Sequence, residues 1–244
     1  MSIDLLLFTL LGGFPYYIYL EKSRKFSYES TFLFSAMLFI LGLISYAFYT
    51  EEIHILLQIL VIPVSLYSLY RANKTNNLYK LITYILFFNA PMLMVFEGKA
   101  GLMYGVTLLV TLCGLYLMGR FYERSYGSAN YQPITGIILV TPYAGLFLTI
   151  YLTALALYPP FPNALFFFNT IITTETNFLW YVTVVIIFFG NFLIGARMMS
   201  QTVFGKPNKN VHYIDLTAKE RIIHLGFLAV LLMLSIVGLK ELLS

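Results

Sequence analysis

The chain has 244 residues, of which 59% are hydrophobic and 11% are charged, and its mean hydropathy is +0.80. This composition excludes an ordinary soluble globular domain and is typical of a polytopic membrane protein. The formal charge of +4 falls almost entirely between apolar segments, so it bears on membrane orientation and argues against a nucleic-acid partner. The single Cys113 lies inside an apolar segment, which excludes an internal disulfide and a cysteine-based metal or iron–sulfur site.

Apolar segments of membrane-spanning length follow one another along the chain. They predict an all-α integral membrane protein, one transmembrane domain over 1–244 with about eight transmembrane helices. The first segment is interpreted as a retained span because no basic residue precedes its apolar run, as a signal peptide would require. Thr217 and Glu220 predict a capping box at the start of the last helix. The predicted spans are 3–20, 29–50, 53–70, 79–96, 101–119, 142–173, 177–199 and 222–240.

The sixth segment, 142–173, is predicted to be a broken helix. Pro159, Pro160 and Pro162 have no N–H group, so a continuous helix through 158–163 would lose several hydrogen bonds. The two halves are about 24 Å and 15 Å long at 1.5 Å per residue, and neither alone spans a hydrocarbon core of about 30 Å. A break at membrane depth must face protein or water, which makes the prolines and Asn163 a candidate site. A plain proline kink and a surface loop between two full spans are the alternatives.

The charges between the spans bear on this choice. If 142–173 crosses the membrane once, the basic loops after the first, third, fifth and seventh spans share one face. The other face then keeps only Lys99 and Lys240. This asymmetry agrees with the positive-inside rule and favours a single broken crossing, with both termini on the non-cytoplasmic side.

Three charged residues near the ends of spans are candidates for a proton path. Lys80 is either a buried ionisable group or a side chain that extends to the lipid headgroups. For Glu97 and Arg197 the alternatives are a solvated carboxylate and an interface anchor. No catalytic residue and no metal site are predicted, because no paired carboxylates lie inside a span and the histidines lack the spacing of metal ligands.

Four stretches of the sequence occur in an order that matches one known family. They resemble the C-terminal part of the antiporter-like membrane subunits of respiratory complex I, the proton-pumping NADH:ubiquinone oxidoreductase. The last stretch is most similar to NADH dehydrogenase subunit 4, with subunits 2 and 5 as alternatives. The resemblance covers 77–240 and leaves 1–76 without a clear counterpart. The stretches are NNLYKLITYILFFNA, GLYLMGRFYERSYG, TGIILVTPYAGLFLTIYLTALALYPPFPNALFFF, and RMMSQTVFGKPN followed by IDLTAKERIIHLGFLAVLLMLSIVGL.

The chain departs from this family at positions where the family has titratable residues. Lys80 alone stands where the family has two basic residues, Asn89 stands where a histidine is common, and the family's next intramembrane histidine falls near Thr107. The charged residue after the family's broken helix falls at Phe166 or Phe167. A proton relay needs titratable groups within reach of one another. The resemblance therefore implies a shortened, degenerate subunit that cannot pump alone.

The resemblance also implies the membrane in which the chain lies, its partners and its cofactors. We expect a non-catalytic, multi-pass subunit of the mitochondrial inner membrane, or alternatively of the bacterial plasma membrane. Its expected partners are the other membrane-arm subunits and the lipid bilayer. Flavin, iron–sulfur clusters and ubiquinone would belong to partner subunits, and only lipid is expected on this chain.

Two alternatives remain open from the sequence. One is a self-contained secondary transporter whose site is the unwound region 158–163. The other is the equivalent subunit of an Mrp antiporter or of a membrane-bound hydrogenase. The first is disfavoured because the sequence shows no internal repeat, whereas such transporters usually have paired inverted halves.

Overall fold

The structure is a computed structural model that describes residues 2–23, 25–49, 53–96, 99–173 and 178–243. Within these ranges 77% of the residues are helical and none lies in a strand, which confirms the predicted all-α class. Glu97, one of the predicted proton-path candidates, lies outside the described residues. The helices are α1 (Ser2–Leu10), α2 (Tyr17–Lys22), α3 (Tyr28–Ala47), α4 (Ile55–Lys74), α5 (Leu78–Phe88), α6 (Pro91–Met94), α7 (Lys99–Tyr126), α8 (Ile137–Val140), α9 (Pro142–Leu155), α10 (Pro162–Thr173), α11 (Phe178–Met198) and α12 (Ala218–Leu243).

In the part of the chain that the structure describes, five helices are long and apolar enough to cross a membrane. They are α3, α4, α7 from Gly101 onward, α12, and α11 with the π-helical turn Met199–Val203 that continues it. The stretch Leu78–Met94 and helix α9 are apolar but shorter. By the length and composition of its helices the chain is therefore a polytopic membrane protein.

The predicted span 3–20 consists of two short helices instead of one. α1 ends at Leu10 and α2 begins at Tyr17. Gly12 between them has a φ of 87°, a conformation that glycine adopts without steric cost, and Pro15 removes a further N–H donor. The prediction that 142–173 is the single broken segment is therefore wrong, since this first segment is interrupted too, and the predicted span 79–96 is divided into α5 and α6.

α1 and α2 lie one after the other along α3. At one end Tyr49 donates a hydrogen bond to Asp4, and at the other the rings of Tyr16 and Phe34 are 6.2 Å apart. The order of these contacts shows that the two short helices run antiparallel to α3. The break therefore lies partway along a single traverse of the bundle.

The predicted break in 142–173 is present, since residues 156–161 between α9 and α10 are not helical. Tyr151 of α9 is hydrogen-bonded to His224 near the start of α12, at 2.8 Å. Asn169 of α10 lies 3.5 Å from Glu241 near the end of α12. About 17 residues, or roughly 26 Å of helix, separate these two α12 residues. α9 and α10 thus follow one another along α12 and do not fold back as a hairpin.

α5 is the central helix of the bundle. Every residue of α5 except Lys80 is buried, as expected for a helix that is apolar on all sides. α12 is peripheral, with most of its side chains exposed. The predicted capping box starts α12: the Thr217 N–H donates to Glu220 Oε2 at 2.8 Å, and the Glu220 N–H donates to Thr217 Oγ1 at 3.4 Å.

Candidate functional site

Three polar side chains meet in the apolar interior where α5, α7 and α11 approach one another. Asn89, Tyr104 and Asn191 are almost completely buried, and we call them the amide–tyrosine cluster. The Tyr104 hydroxyl donates to Asn89 Oδ1 at 2.6 Å, and Asn191 Nδ2 donates to the same oxygen at 2.8 Å. Asn89 Nδ2 donates to the carbonyl of Ile85 at 2.9 Å. The cluster thereby joins three helices through neutral hydrogen bonds.

A proline places Asn89 at a break between α5 and α6. Because Pro91 has no N–H, the helical hydrogen-bond pattern changes here, and the Met92 N–H donates to the Asn89 carbonyl. The Phe88 carbonyl then accepts a hydrogen bond from Ser65 Oγ of α4 at 2.6 Å. A buried carbonyl freed by the break is thus satisfied by a neighbouring helix, as the bilayer requires.

The polar groups continue along α7 toward the other break. Thr107 Oγ1 donates to the Tyr104 carbonyl at 2.9 Å. The Thr111 hydroxyl lies 3.0 Å from the Thr107 carbonyl and 3.1 Å from Oδ1 of Asn163, in the first turn of α10. Asn163 is fully buried, and its Nδ2 has no hydrogen-bond partner among the described residues. An amide donor is therefore available beside the break in 142–173.

The cluster and the threonines contain only amide and hydroxyl groups. Such groups accept and donate hydrogen bonds without carrying a charge. They can hold water or orient the polar group of a neighbour, but none of them exchanges a proton readily near neutral pH. These side chains include Asn89 and Thr107, two of the positions where the resemblance places histidines.

Comparison of the chain with protein-family models finds no match, and comparison with curated proteins also finds none. The remaining predicted site residues are Lys80, Arg197 and the prolines of the broken segment.

Lys80 lies at the edge of the bundle, in the first turn of α5. Asn77 caps this helix, because its Oδ1 accepts hydrogen bonds from the N–H groups of Tyr79 and Lys80. The Lys80 Nζ lies 3.9 Å from the centre of the Tyr28 ring, a cation–π distance, at the start of α3. About nine residues of helix, or roughly 13 Å, separate Lys80 from Asn89. The structure does not bring this amino group to the amide–tyrosine cluster.

Arg197 lies in the last turn of α11 and contacts the end of α4. Its guanidinium donates to the carbonyls of Ala72 and Asn73 at 2.8 and 3.0 Å, and to the Tyr131 hydroxyl at 2.9 Å. The last carbonyls of a helix have no intrahelical donor, so Arg197 caps α4 and ties it to α11. Burial raises the pKa of Tyr131, which keeps its hydroxyl protonated beside the arginine.

The prolines of the break divide between the surface and the interior. Pro159 and Pro160 are exposed, as is the neighbouring Tyr158, whose exposed fraction is 65%. Pro162 and Asn163 are buried. One side of the break thus faces the polar groups of α7, and the other side faces the surroundings of the chain.

Sequence reasoning missed Tyr104, Thr111 and Asn191 as site residues. Two of these are visible in the sequence as part of a pattern, since Tyr104, Thr107 and Thr111 recur at spacings of three and four and share one face of a helix. Asn191 carries no comparable signal, because its partner Asn89 is 102 positions away.

Proposed function

We propose that the chain is a membrane-arm subunit of a complex I-type proton-pumping NADH:ubiquinone oxidoreductase, of a shortened antiporter-like kind similar to subunit 4. It crosses the membrane eight times, with the five long helices, α5 together with α6, and the broken segments α1–α2 and α9–α10. It contributes helices to the assembly and has no redox chemistry of its own. Its membrane is the mitochondrial inner membrane, or alternatively the bacterial plasma membrane.

The exposed side of the 156–161 break is the observation that carries the proposal. The break lies between the two contacts that α9 and α10 make near opposite ends of α12, and hence at membrane depth. Non-helical backbone is not tolerated against lipid there, so protein or a water-filled cavity must cover it. The exposed residues are an aromatic side chain and two prolines, Tyr158 to Pro160, which suit contact with protein better than with water. A neighbouring chain that covers the break makes this protein one subunit of an assembly.

The directions of the two broken segments agree with an antiporter-like architecture. α2 ends beside Arg71 at the end of α4, where Glu21 is ion-paired with that arginine at 2.6 Å. α9 begins in the same layer of loops, capped by Asp215, which accepts from the Ala144 N–H at 3.0 Å. The first broken segment therefore ends on the face where the second one begins. Opposed broken helices are a feature of transporters built from inverted repeats.

The neutral amide–tyrosine cluster limits what this chain does within the assembly, because the buried titratable residues Asp4 and His224 lie near the starts of α1 and α12 and outside the cluster. The amide–tyrosine cluster and the α7 threonines hold helices together and can orient water, whereas Lys80 and Arg197 lie near the ends of their helices. We infer that the titrating groups of any proton path at this position belong to partner subunits. The chain then completes and seals the bundle.

A self-contained secondary transporter is the second candidate. The unpartnered amide nitrogen of Asn163 beside the break favours it, because substrate sites of such transporters lie at unwound helices near the bilayer midplane. The opposed broken segments favour it as well. Against it stands the exposed break, which an isolated transporter would leave against lipid.

Native purification from the source membrane distinguishes the two candidates. We expect the chain to be recovered with flavin- and iron–sulfur-containing subunits. A small homo-oligomer that moves ions in liposomes would contradict the proposal and support the transporter.

Thiol labelling tests the covered break directly, in a background in which Cys113, the chain's single cysteine, is replaced by serine (Cys113→Ser). A cysteine at position 158 (Tyr158→Cys) is expected to be protected in the intact assembly and reactive in the isolated chain. A cysteine at the exposed loop position 128 (Ser128→Cys) should react in both and serves as the matched control. Equal reactivity of the Tyr158→Cys variant in both preparations would show that no partner covers the break.

The position of Lys80 leads to a separate test within the complex. Lys80→Met is expected to reduce assembly more than proton pumping, because it removes the contact with the Tyr28 ring at the start of two helices. Lys74→Met is the control, since Lys74 is an exposed lysine on the same face whose ring contact, with Tyr70 at 4.5 Å, stays within α4 and joins no second helix. Normal assembly together with lost pumping would instead make Lys80 part of the proton path.

A further inference from the structure

A groove runs between α7 and α12 from the basic face into the membrane region. Its outer part has a volume of about 320 Å³ and its inner part about 310 Å³, and the two adjoin at Ile223. We call the whole depression the α7–α12 groove. The outer part is lined by Leu117, Arg120, Arg124, Glu220, Ile223 and His224. The inner part is lined by Val110, Ile223, Gly226, Phe227 and Val230.

The two parts of the groove differ in chemistry. The inner part has only apolar side chains and one glycine, and a Cβ on Gly226 would meet no atom within 4 Å. The outer part carries two arginines one helical turn apart on α7. A polar mouth above an apolar channel matches a molecule with a charged head and a hydrocarbon chain.

The two arginines of the mouth have N–H donors that form no hydrogen bond with the residues that the structure describes. Arg124 Nη1 is paired with Glu220 Oε1 at 2.6 Å, whereas Arg120 has a long 3.9 Å contact with Glu29 Oε1 and is 64% exposed. The Glu29 carboxylate also accepts a hydrogen bond from the Tyr116 hydroxyl at 2.7 Å. A guanidinium has five N–H donors in a fork that fits phosphate, so both arginines keep donors for an anion.

The depth of the groove fits one leaflet of a bilayer. From Glu220 to Val230 it extends about 15 Å along α12, half of a hydrocarbon core of about 30 Å. A transmembrane helix of a partner would need a surface of the full thickness. The mouth lies where α12 begins and α7 ends, which is the level of the headgroups.

We propose that the α7–α12 groove binds an anionic phospholipid, with one acyl chain along Gly226 and the phosphate held by Arg120 and Arg124. This inference does not depend on the proposed role in complex I. It assigns to the chain a specific lipid site on the face that carries the basic loops.

The test uses the full-length chain in neutral detergent and native mass spectrometry. Phosphatidylglycerol and phosphatidylcholine with the same acyl chains are titrated separately. We expect one phosphatidylglycerol to bind about tenfold more tightly than phosphatidylcholine, which corresponds to about 1.4 kcal/mol. Arg120→Gln should abolish this preference, and Arg120→Lys should keep part of it. The double variant Lys206→Gln/Lys209→Gln removes two exposed charges outside the groove and should leave the preference unchanged.

The apolar half of the groove is tested with a filling substitution. Gly226→Leu is expected to weaken the binding of both lipids about tenfold, because the added side chain occupies the channel. Leu232→Phe adds bulk about 120° around the helix at 3.6 residues per turn and should have no effect. Circular dichroism checks that each variant keeps wild-type helicity.

Three outcomes would overturn the proposal. An unchanged lipid preference in Arg120→Gln would contradict the proposal that Arg120 holds the phosphate. Unchanged lipid binding in Gly226→Leu would show that the lipid lies elsewhere. Lipid binding that appears only after a copurified protein is removed would identify the groove as a protein interface.

Discussion

Gly114 and Gly226 provide a matched pair of glycine-to-alanine substitutions that tests the packing of the bundle. Both glycines lie inside long helices, so alanine gains the same helix propensity at each site, about 1 kcal/mol. Their surroundings differ. A Cβ on Gly114 would lie 2.3 Å from Cε1 of Tyr151, whereas a Cβ on Gly226 would meet nothing within 4 Å.

Tyr151 has little freedom to move away from a new methyl group. Its side chain is fully buried, and its hydroxyl is hydrogen-bonded to His224 at 2.8 Å. The His224 ring in turn stacks on Phe147, with 5.0 Å between the ring centres. Overpacking of such a site costs about 1–3 kcal/mol. Because the propensity gain is common to both variants, we expect Gly114→Ala to be less stable than Gly226→Ala by this amount.

The free energy of unfolding is measured by titrating the full-length chain in mixed micelles with SDS and following its helicity. Gly190→Ala is a second test, because a Cβ there would lie 2.2 Å from Cζ of the buried Phe88. If Gly114→Ala proves as stable as Gly226→Ala, then α7 and α9 do not approach as closely as described. The described position of the Tyr151 ring against α7 would then be wrong.

Polar contacts and chain direction lead to three more predictions. Asn89→Leu should lower the free energy of unfolding by about 1–3 kcal/mol in the same titration, because it leaves buried polar groups without a hydrogen-bond partner. Adding Asn191→Leu should recover part of that loss. If the effects of the two substitutions are strictly additive, the two residues do not share a cluster. Glu21→Gln should cost about 1.5–3 kcal/mol, since that carboxylate accepts two hydrogen bonds of 2.6 Å, and unchanged stability would refute this. In sealed vesicles of a cysteine-free background, an impermeant reagent should label Ser128→Cys and Thr173→Cys from opposite sides. Labelling from one side would exclude a single broken crossing.

Local features of the fold follow from the sequence because their causes are local. Apolar segments predict helices and a membrane environment, Pro159 to Pro162 predict the end of α9, and Thr217 with Glu220 predicts the start of α12. Each of these depends on residues within one or two helical turns. The break at Gly12 was missed, although two glycines and Pro15 mark it, because a short apolar run resembles a continuous span.

The candidate site was only partly predictable. Asn163 was selected for its place in the break, and the structure adds its contact with Thr111, 52 positions earlier. Lys80 and Arg197 were selected for their charge, and the structure puts each of them at a helix end. Their role in a proton path stays a prediction. The sequence did not predict the amide–tyrosine cluster, because asparagine and tyrosine are uncharged and do not stand out in a span as a charged residue does.

The sequence by itself determined that this is a helical membrane protein and where proline interrupts a helix, since hydrophobicity and missing N–H donors act within a short stretch of chain. Only the tertiary structure decided which polar side chains meet inside it and which side of a break stays exposed. Those outcomes depend on helices that are close in space and distant in sequence, such as the pair that brings Asn89 to Asn191. In a bilayer such pairings are decided by packing and hydrogen bonding between helices, because lipid tails are as apolar as the helix surfaces and no hydrophobic driving force selects one neighbouring helix over another.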